Sequence, residues 1–349
     1  MNASFGNTSS TQCHHVLTFE HQSKLIPTIY GLIFIFGVVG NALVIFVLCQ
    51  GSSHKTVANT FMFNLALSDL LFLLSLPFWA VYYSLDYDWI FGGLMCKMCG
   101  GLLSLNLYAS IFFITCMSVD RYLAIVYPFQ SQSCRNRCRA RAVSIVVWTL
   151  AGVTTVPTLS FRDTQQIEHL GVTACVIHYP DTGWFVGLTL MKNLLGFLLP
   201  FVVIFTCYCS IGRHLCRTVG LDKSSSNVDK VLKMVVSVVL AFFLCWFPFH
   251  AATFLDVLSS QGLIQMCWVD HTIHTLLPFT LCLGFSNSAI NPLLYCFVGN
   301  HFREQLSSQW KARTSSLSQK RGSFSTRLSS FSRKLSDLKD PGPMETGMA

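Results

Sequence analysis

Charge is what this chain has least of. Asp, Glu, Lys and Arg make up 11% of its 349 residues, against about 25% in an average soluble protein. A soluble chain of this length could not cover its surface with so little. A wholly disordered chain or a coiled coil depends on charged and polar residues even more, so those classes fail too. Collagen is about one-third glycine, which a total of 22 Gly excludes. The 15 cysteines are scattered and form no repeated CxxC ligand set, which argues against a zinc scaffold. Residues 1–10, MNASFGNTSS, have neither a basic stretch nor an apolar core, so no cleavable leader is expected and the first apolar run should act as its own insertion signal.

What the chain has in excess is apolar. Hydrophobic residues are 52% and the mean hydropathy is +0.51, the profile of a polytopic membrane protein. A membrane helix needs about 20 mostly apolar residues. Seven such stretches occur, at roughly 25–49, 58–83, 95–127, 142–160, 184–212, 230–258 and 272–297. Backbone polar groups cannot stay unpaired in lipid, so these runs should be helices. A β-barrel would show alternating segments of about 10 residues, and none appear. The expected fold is all-α, a seven-transmembrane helix bundle over residues 25–298.

The basic residues orient it. With the N-terminus outside, only Lys24, Lys97, Arg162 and Lys192 lie outside or in the outer half of the membrane. The other 20 of the 24 basic residues then face the cytoplasm, among them Arg135, Arg137, Arg139, Arg141 and nine between Arg303 and Lys339. The net charge of +8 is therefore a topology signal, matched to an anionic lipid membrane and not to nucleic acid. Residues 1–24 are expected to be an extracellular segment, with glycosylation sequons at Asn2 and Asn7. Over 299–311, Phe302, Leu306 and Trp310 recur every four residues, which predicts a short amphipathic eighth helix on the inner leaflet. Residues 312–349 read as a disordered cytoplasmic tail rich in Ser.

Fixed motifs ride on the spans. Gly40-Asn41 lies in the first span and Asn64-Leu65-Ala66-Leu67-Ser68-Asp69 in the second. Asp120-Arg121-Tyr122 closes the third, Trp148 marks the fourth and Pro200 the fifth. Cys245-Trp246-Phe247-Pro248 lies in the sixth and Asn291-Pro292-Leu293-Leu294-Tyr295 in the seventh. With these motifs in order, the chain resembles the rhodopsin-like G-protein-coupled receptors over nearly all of residues 25–310. The resemblance implies signalling to a heterotrimeric G protein. Asp120 and Arg121 would form an ion pair that opens on activation, with Tyr208 and Tyr295 as alternative partners for Arg121. Trp246 would sense the ligand. Asn291 and Pro292 belong to the same switch, and Pro248 and Pro292 should kink their helices.

Asp69 is an ionisable group deep in an apolar helix and needs a partner or a cavity. The resemblance implies an allosteric sodium ion there, with Asn106, Ser110, Asn287 and Asn291 completing a pocket of oxygen donors suited to a hard cation. No other cofactor or metal is expected. Cys96 and Cys175 both fall on the oxidising side, where a disulfide is expected, and Cys13 with Cys267 would make a second. Sequence alone does not fix that connectivity. Ser315, Ser316, Ser318, Ser323 and Ser325 beside basic residues are candidate sites for receptor kinases and arrestin recruitment.

The outer half carries the ligand information. Lys192 sits one to two turns inside the fifth span, where a lysine is costly and marks a functional site by default. With Arg162 it would suit an anion such as a peptide carboxylate. Asp256 and Asp270 flank the third outer loop, and Asp86 and Asp88 follow the second span. An elongated ligand with a buried carboxylate and an outer cationic part would fit. Tyr30, Trp79, Tyr83, Leu103, Phe249 and Phe279 would supply the walls, with His250 beside them.

Several runs sharpen the resemblance to the angiotensin receptors. They are Tyr87-Asp88-Trp89-Ile90-Phe91-Gly92, the stretch from Ala109 to Tyr122, Phe161-Arg162-Asp163, Leu190-Met191-Lys192-Asn193, Trp246-Phe247-Pro248-Phe249-His250 and Thr253-Phe254-Leu255-Asp256. That family implies angiotensin II or a close relative as ligand. Arg162 and Lys192 would hold the carboxylate of its terminal Phe, and Asp256 would face its Arg. The chain departs from the family at His274, four residues before Pro278, where Asp is usual; Asp270 lies one turn earlier. A protonated His opposes a cationic ligand. Bradykinin receptors share Thr173-Ala174-Cys175-Val176-Ile177 and Thr253-Phe254-Leu255-Asp256, and are the nearest alternative. An enzyme finds no support, since no P-loop, H-E-x-x-H or G-x-S-x-G occurs. A transporter is the other rival class, but the halves show no repeat.

Overall fold

The computed structural model describes residues 22–50, 56–131, 136–168, 170–218 and 226–298, together with Ser307. The calls at Asn2, Asn7, Cys13 and Arg135, the amphipathic helix at 299–311 (Ser307 aside) and the tail at 312–349 lie outside the described residues. Among the described residues, seven helices are long and apolar enough to cross a membrane: Gln22–Gln50, Val57–Ser84, Gly92–Val126, Arg137–Phe161, Thr182–Arg217, Val235–Ser260 and Cys267–Cys296.

In finer detail, the first span is α1 (Gln22–Gln50) and the second is α2 (Val57–Leu73) continued by α3 (Leu76–Ser84). The third is α4 (Gly92–Val126), followed by the single turn α5 (Pro128–Ser131), and the fourth is α6 (Arg137–Phe161). The fifth is α7 (Thr182–Asn193), a π-helical turn (Leu194–Leu198) and α8 (Leu199–Thr218). The sixth and seventh are α9 (Ser226–Ser260) and α10 (Cys267–Val298). Three helices start on side-chain caps. Thr56 accepts from Asn59 N–H at 3.2 Å, Asn136 from Arg139 N–H at 2.8 Å and Asp181 from Trp184 N–H at 3.0 Å. Each satisfies an N–H that has no carbonyl partner within its helix.

Proline also decides where the helical hydrogen-bond pattern is interrupted. α9 and α10 run as continuous helices through Pro248, Pro278 and Pro292. The irregular stretches among the described residues come ahead of Pro77 and Pro200. Pro77 has no N–H for the Leu73 carbonyl, and the chain tightens at Ser75, whose N–H and hydroxyl both donate to Phe72 C=O at 2.8 and 2.7 Å. Pro200 likewise leaves Gly196 C=O without a donor, and the helix widens just before it. Leu199 N–H there reaches back five residues to Leu194 C=O.

Pro292 shows how such a vacancy is filled from another helix. It cannot donate to Ser288 C=O, so the Asn41 amide of α1 does so instead, at 2.8 Å, while also donating to Gly37 C=O at 2.9 Å. Gly40 makes the approach feasible: a Cβ there would stand 2.8 Å from Pro292 Cβ. The Gly40-Asn41 pair is thus the docking surface for the Pro292 turn. Asn41→Ala should cost about 1–2 kcal/mol by leaving a buried carbonyl unpaired. Thermal unfolding of the purified protein would register the loss, and an unchanged midpoint would mean that the carbonyl has another partner.

A second inter-helix bond fixes the fourth span. Trp148 Nε1–H donates to Asn64 Oδ1 at 2.9 Å, and the Asn64 amide donates to Thr60 C=O at 2.8 Å. At the Cys96 end of α4 the helices are topped by an antiparallel hairpin, β1 (Arg162–Ile167) and β2 (Val172–Ile177), in the register Arg162↔Ile177 and Thr164↔Cys175. A disulfide from Cys96 at the top of α4 to Cys175 pins it, with Cα atoms 5.6 Å apart. The first outer loop grips it as well: Trp89 N–H donates to Thr173 C=O at 2.6 Å, and Asp88 Oδ1 accepts from Thr173 N–H at 2.8 Å.

Candidate functional site

Arg162 is the first residue of β1, directly after α6, which sets it against α4 and the second span. Its guanidinium lies 5.5 Å over the Trp79 ring, and Nη1 reaches Cys175 Sγ at 3.7 Å. The side chain presses flat against α4 at Gly100, where any Cβ would collide with its Cδ and Nε. The Arg162 Nε is buried without a hydrogen-bond partner. Burial lowers its pKa from the usual value, while the nearby phenols of Tyr179, Tyr82 and Tyr83 act the other way. Arg titrates so high that the group remains a cation.

Lys192 lies in the last turn of α7, with Nζ 4.9 Å from the Phe249 ring centre. It interacts electrostatically with both Arg162 and Asp256. Among the described residues the ion pairs are Lys97–Asp163, Arg121–Asp120 and Asp270–His274, and neither Arg162 nor Lys192 takes part. Two cations therefore act on one another electrostatically, and neither enters an ion pair among the described residues. The Lys97–Asp163 pair, at 3.0 Å, is exposed on the outer rim. Lys97 holds the Asp163 carboxyl below the usual carboxylate range.

Below these cations lies an aromatic and polar floor. Trp79, Tyr83 and Phe249 keep 8% of their surface exposed, whereas Tyr30 keeps 1% and is enclosed by Tyr83 and Phe285, with ring centres 5.7 and 5.4 Å away. Leu103 of α4 and Phe279 of α10 are half-buried. His250 is buried against Phe197, with ring centres 4.9 Å apart, and its Nδ1 lies 3.0 Å from Asn193 Oδ1. The Asn193 amide already donates to Thr189 C=O and Thr253 Oγ1. Its oxygen is thus left to accept, which sets His250 Nδ1 as the N–H. Trp246 packs on α10 at Gly284, where a Cβ would stand 2.9 Å from the indole. Asp256 of α9 meets Asp270 and His274 of α10 at the outer rim.

Deeper in the bundle, Asp69 is fully buried and gathers donors from two other spans. Asn106 and Ser288 donate to Oδ1 at 2.9 and 2.7 Å, and Asn291 donates to Oδ2 at 3.1 Å. Ser110 enters through Asn106, whose amide reaches its hydroxyl at 3.2 Å. Ser288, not among the candidates named from the sequence, bonds Asp69 directly, and Asn287 makes no hydrogen bond to it. The side-chain oxygens of Asn287 and Asn291 are buried and accept no hydrogen bond. They are the orphan acceptors that a small cation would use. At the inner end of α4, Arg121 Nε donates to Asp120 at 3.1 Å and Nη2 is paired with the same carboxylate oxygen. Tyr208 is close by, with Ser118 and Arg121 as polar neighbours, and Tyr295 is buried at 1% exposure.

A model of the seven-transmembrane receptors of the rhodopsin family matches residues 40–295. The chain belongs to that family. It is 46% identical to the type-2 angiotensin II receptor of Rattus norvegicus over 338 residues, covering 96% of this chain and 93% of that receptor. The human type-2 receptor gives the same figures, 46% over 338 residues. The type-1 angiotensin II receptor of Bos taurus is 43% identical over 282 residues, covering 80% of this chain and 79% of its own. The protein is thus a multi-pass membrane receptor of the plasma membrane and not an enzyme.

The family's ion-pair and disulfide positions are met by Asp120–Arg121 and Cys96–Cys175. Cys267 is disulfide-bonded as well, and Cys13 lies outside the described residues. Sequence reasoning missed Gly100, Ser288 and the hairpin. Gly100 carried a signal in the pair Gly100-Gly101, since two glycines inside a long helix usually mark a close approach. Asp88, read as a free acidic group, is committed to the hairpin through Thr173.

Proposed function

We propose that this receptor binds a short peptide with a free C-terminal carboxylate, angiotensin II or a close relative, and passes the signal to a heterotrimeric G protein. The observation that carries the reading is the pair Arg162 and Lys192, two electrostatically coupled cations that enter no ion pair among the described residues. Arg offers a planar fork and Lys a point charge, and a carboxylate takes both. The peptide's Arg would then lie outward toward Asp256. The N-terminus is outside and the basic loops and tail face the cytoplasm, where kinases and arrestin would meet Ser315, Ser316, Ser318, Ser323 and Ser325. Agonist would favour a conformer in which Arg121 leaves Asp120, and a G protein would favour the same one, so each tightens the other's binding.

Displacement of radiolabelled angiotensin II on membranes of transfected cells tests the reading. High-affinity, saturable binding is expected, and Asp256→Asn should weaken angiotensin II more than an analogue with a neutral second residue. No specific binding would overturn the ligand assignment.

Asp69 with Ser110, Asn287 and Asn291 offers the oxygen donors a sodium ion prefers. Asp69 already ties α2, α4 and α10 together, and the same oxygens around a cation would tie them further and oppose the agonist-bound conformer. Replacing sodium by choline in the buffer should therefore raise agonist affinity, and Asp69→Asn should remove the difference. Equal sodium sensitivity in the variant would place the ion elsewhere.

A further inference from the structure

We propose that Asp256, Asp270 and His274 form a site for a zinc-type divalent cation at the outer junction of α9 and α10. One ligand atom from each of the three lies within 4.8 Å of the other two. Asp270 and His274 stand four residues apart on α10, so their side chains share one helix face. Asp270 Oδ1 and His274 Nε2 are 3.4 Å apart. Two ligand atoms bound at about 2.0–2.1 Å to a tetrahedral zinc are separated by roughly that same distance. Asp256 comes from the neighbouring helix and supplies the third ligand atom, within 4.8 Å of the other two.

The ligand set selects the ion. An imidazole beside two carboxylates suits zinc and similar transition metals, whereas magnesium and calcium prefer oxygen alone. The site is also open enough to load: the side chains of His274 and Asp270 keep 35% and 27% of their surface exposed. Three protein ligands leave the fourth position to water, the pattern of accessible zinc sites. Two carboxylates brought this close repel each other, and a divalent cation between them removes that repulsion. His274, standing where the resemblance led one to expect Asp, is the residue that makes a metal site of the rim. A bound ion would link α9 to α10 and hold their outer ends together.

The test uses the purified full-length receptor in lipid nanodiscs without peptide, with zinc chloride alone as the probe. Zinc in the micromolar range is expected to raise the thermal unfolding midpoint. His274→Ala and Asp270→Asn should each weaken that response at least tenfold in zinc concentration. Both residues lie at the rim, so the midpoints without zinc should stay near wild type, which separates lost binding from lost folding. Millimolar magnesium should have no effect. A zinc response unchanged in both variants would overturn the proposal. So would an equal response to magnesium, which would mark plain carboxylate screening.

Discussion

Lys192→Gln should weaken angiotensin II binding by at least about thirtyfold. Truncating one member of a desolvated charge pair costs about 2–5 kcal/mol, much of it from the partner left unpaired. In the ligand complex that partner is the peptide carboxylate, with Arg162 remaining as its other cation. The unliganded receptor should respond in the opposite sense. Lys192 sits in the fifth span against Phe249 with no carboxylate in ion-pair contact among the described residues. A neutral Gln there removes a desolvated charge, so the unfolding midpoint should hold or rise. Loss of binding with retained stability separates a binding residue from a structural one. An amidated peptide sharpens the test. The wild type should lose affinity for it, and the variant should lose little more. If the two losses simply add, Lys192 does not touch the carboxylate.

The parts of the fold that composition dictates were legible from the sequence. Seven apolar runs need seven helices because lipid leaves the backbone no other partner, and their positions hold to within a few residues. What depends on helix rotation was not. Asn287 and Ser288 are adjacent polar residues, and one residue turns a helix face by about 100°. Both are buried, but only the packing of α10 on α1 decides that Ser288 is the one that meets Asp69. That packing rests in turn on Asn41 bonding the Ser288 carbonyl freed by Pro292. The π-helical turn before Pro200 escaped for a related reason. A proline announces that a carbonyl loses its donor, and the neighbouring helices decide whether the chain kinks, widens or borrows a partner. The hairpin escaped because its β2 strand buries the consecutive pair Ala174 and Cys175, so the alternation that marks a strand is missing. The outer site was legible as chemistry, two cations and several acids, and illegible as geometry. Asp88 proved to belong to the hairpin, while Asp256 and Asp270 converge on His274.

Replacing Cys96 and Cys175 together by Ser should lower stability by about 2–4 kcal/mol and cost most of the high-affinity peptide binding. The disulfide joins residues 79 apart in sequence. In a free chain, closing a loop of that length is worth about 4–5 kcal/mol by the chain-entropy model. The membrane reduces this, because the intervening spans confine the loop ends even when the helices come apart. Binding suffers for a more local reason. Cys175 is the β2 partner of Thr164, and its sulfur is the group Arg162 Nη1 reaches. Without the bridge the hairpin keeps its ties through Asp88, Trp89 and the exposed Lys97–Asp163 ion pair but loses its covalent anchor to α4, so the fit of Arg162 against Gly100 and Trp79 loosens. Cys99 supplies the control. It stands at CxxC spacing from Cys96 yet is a buried free thiol, and Cys99→Ser should leave peptide binding within a few-fold of wild type. Thermal unfolding and radioligand binding on the same purified samples would check both halves. If the double variant bound peptide with unchanged affinity, Arg162 would be held by α6 and Trp79 alone, and the disulfide would serve stability without shaping the site.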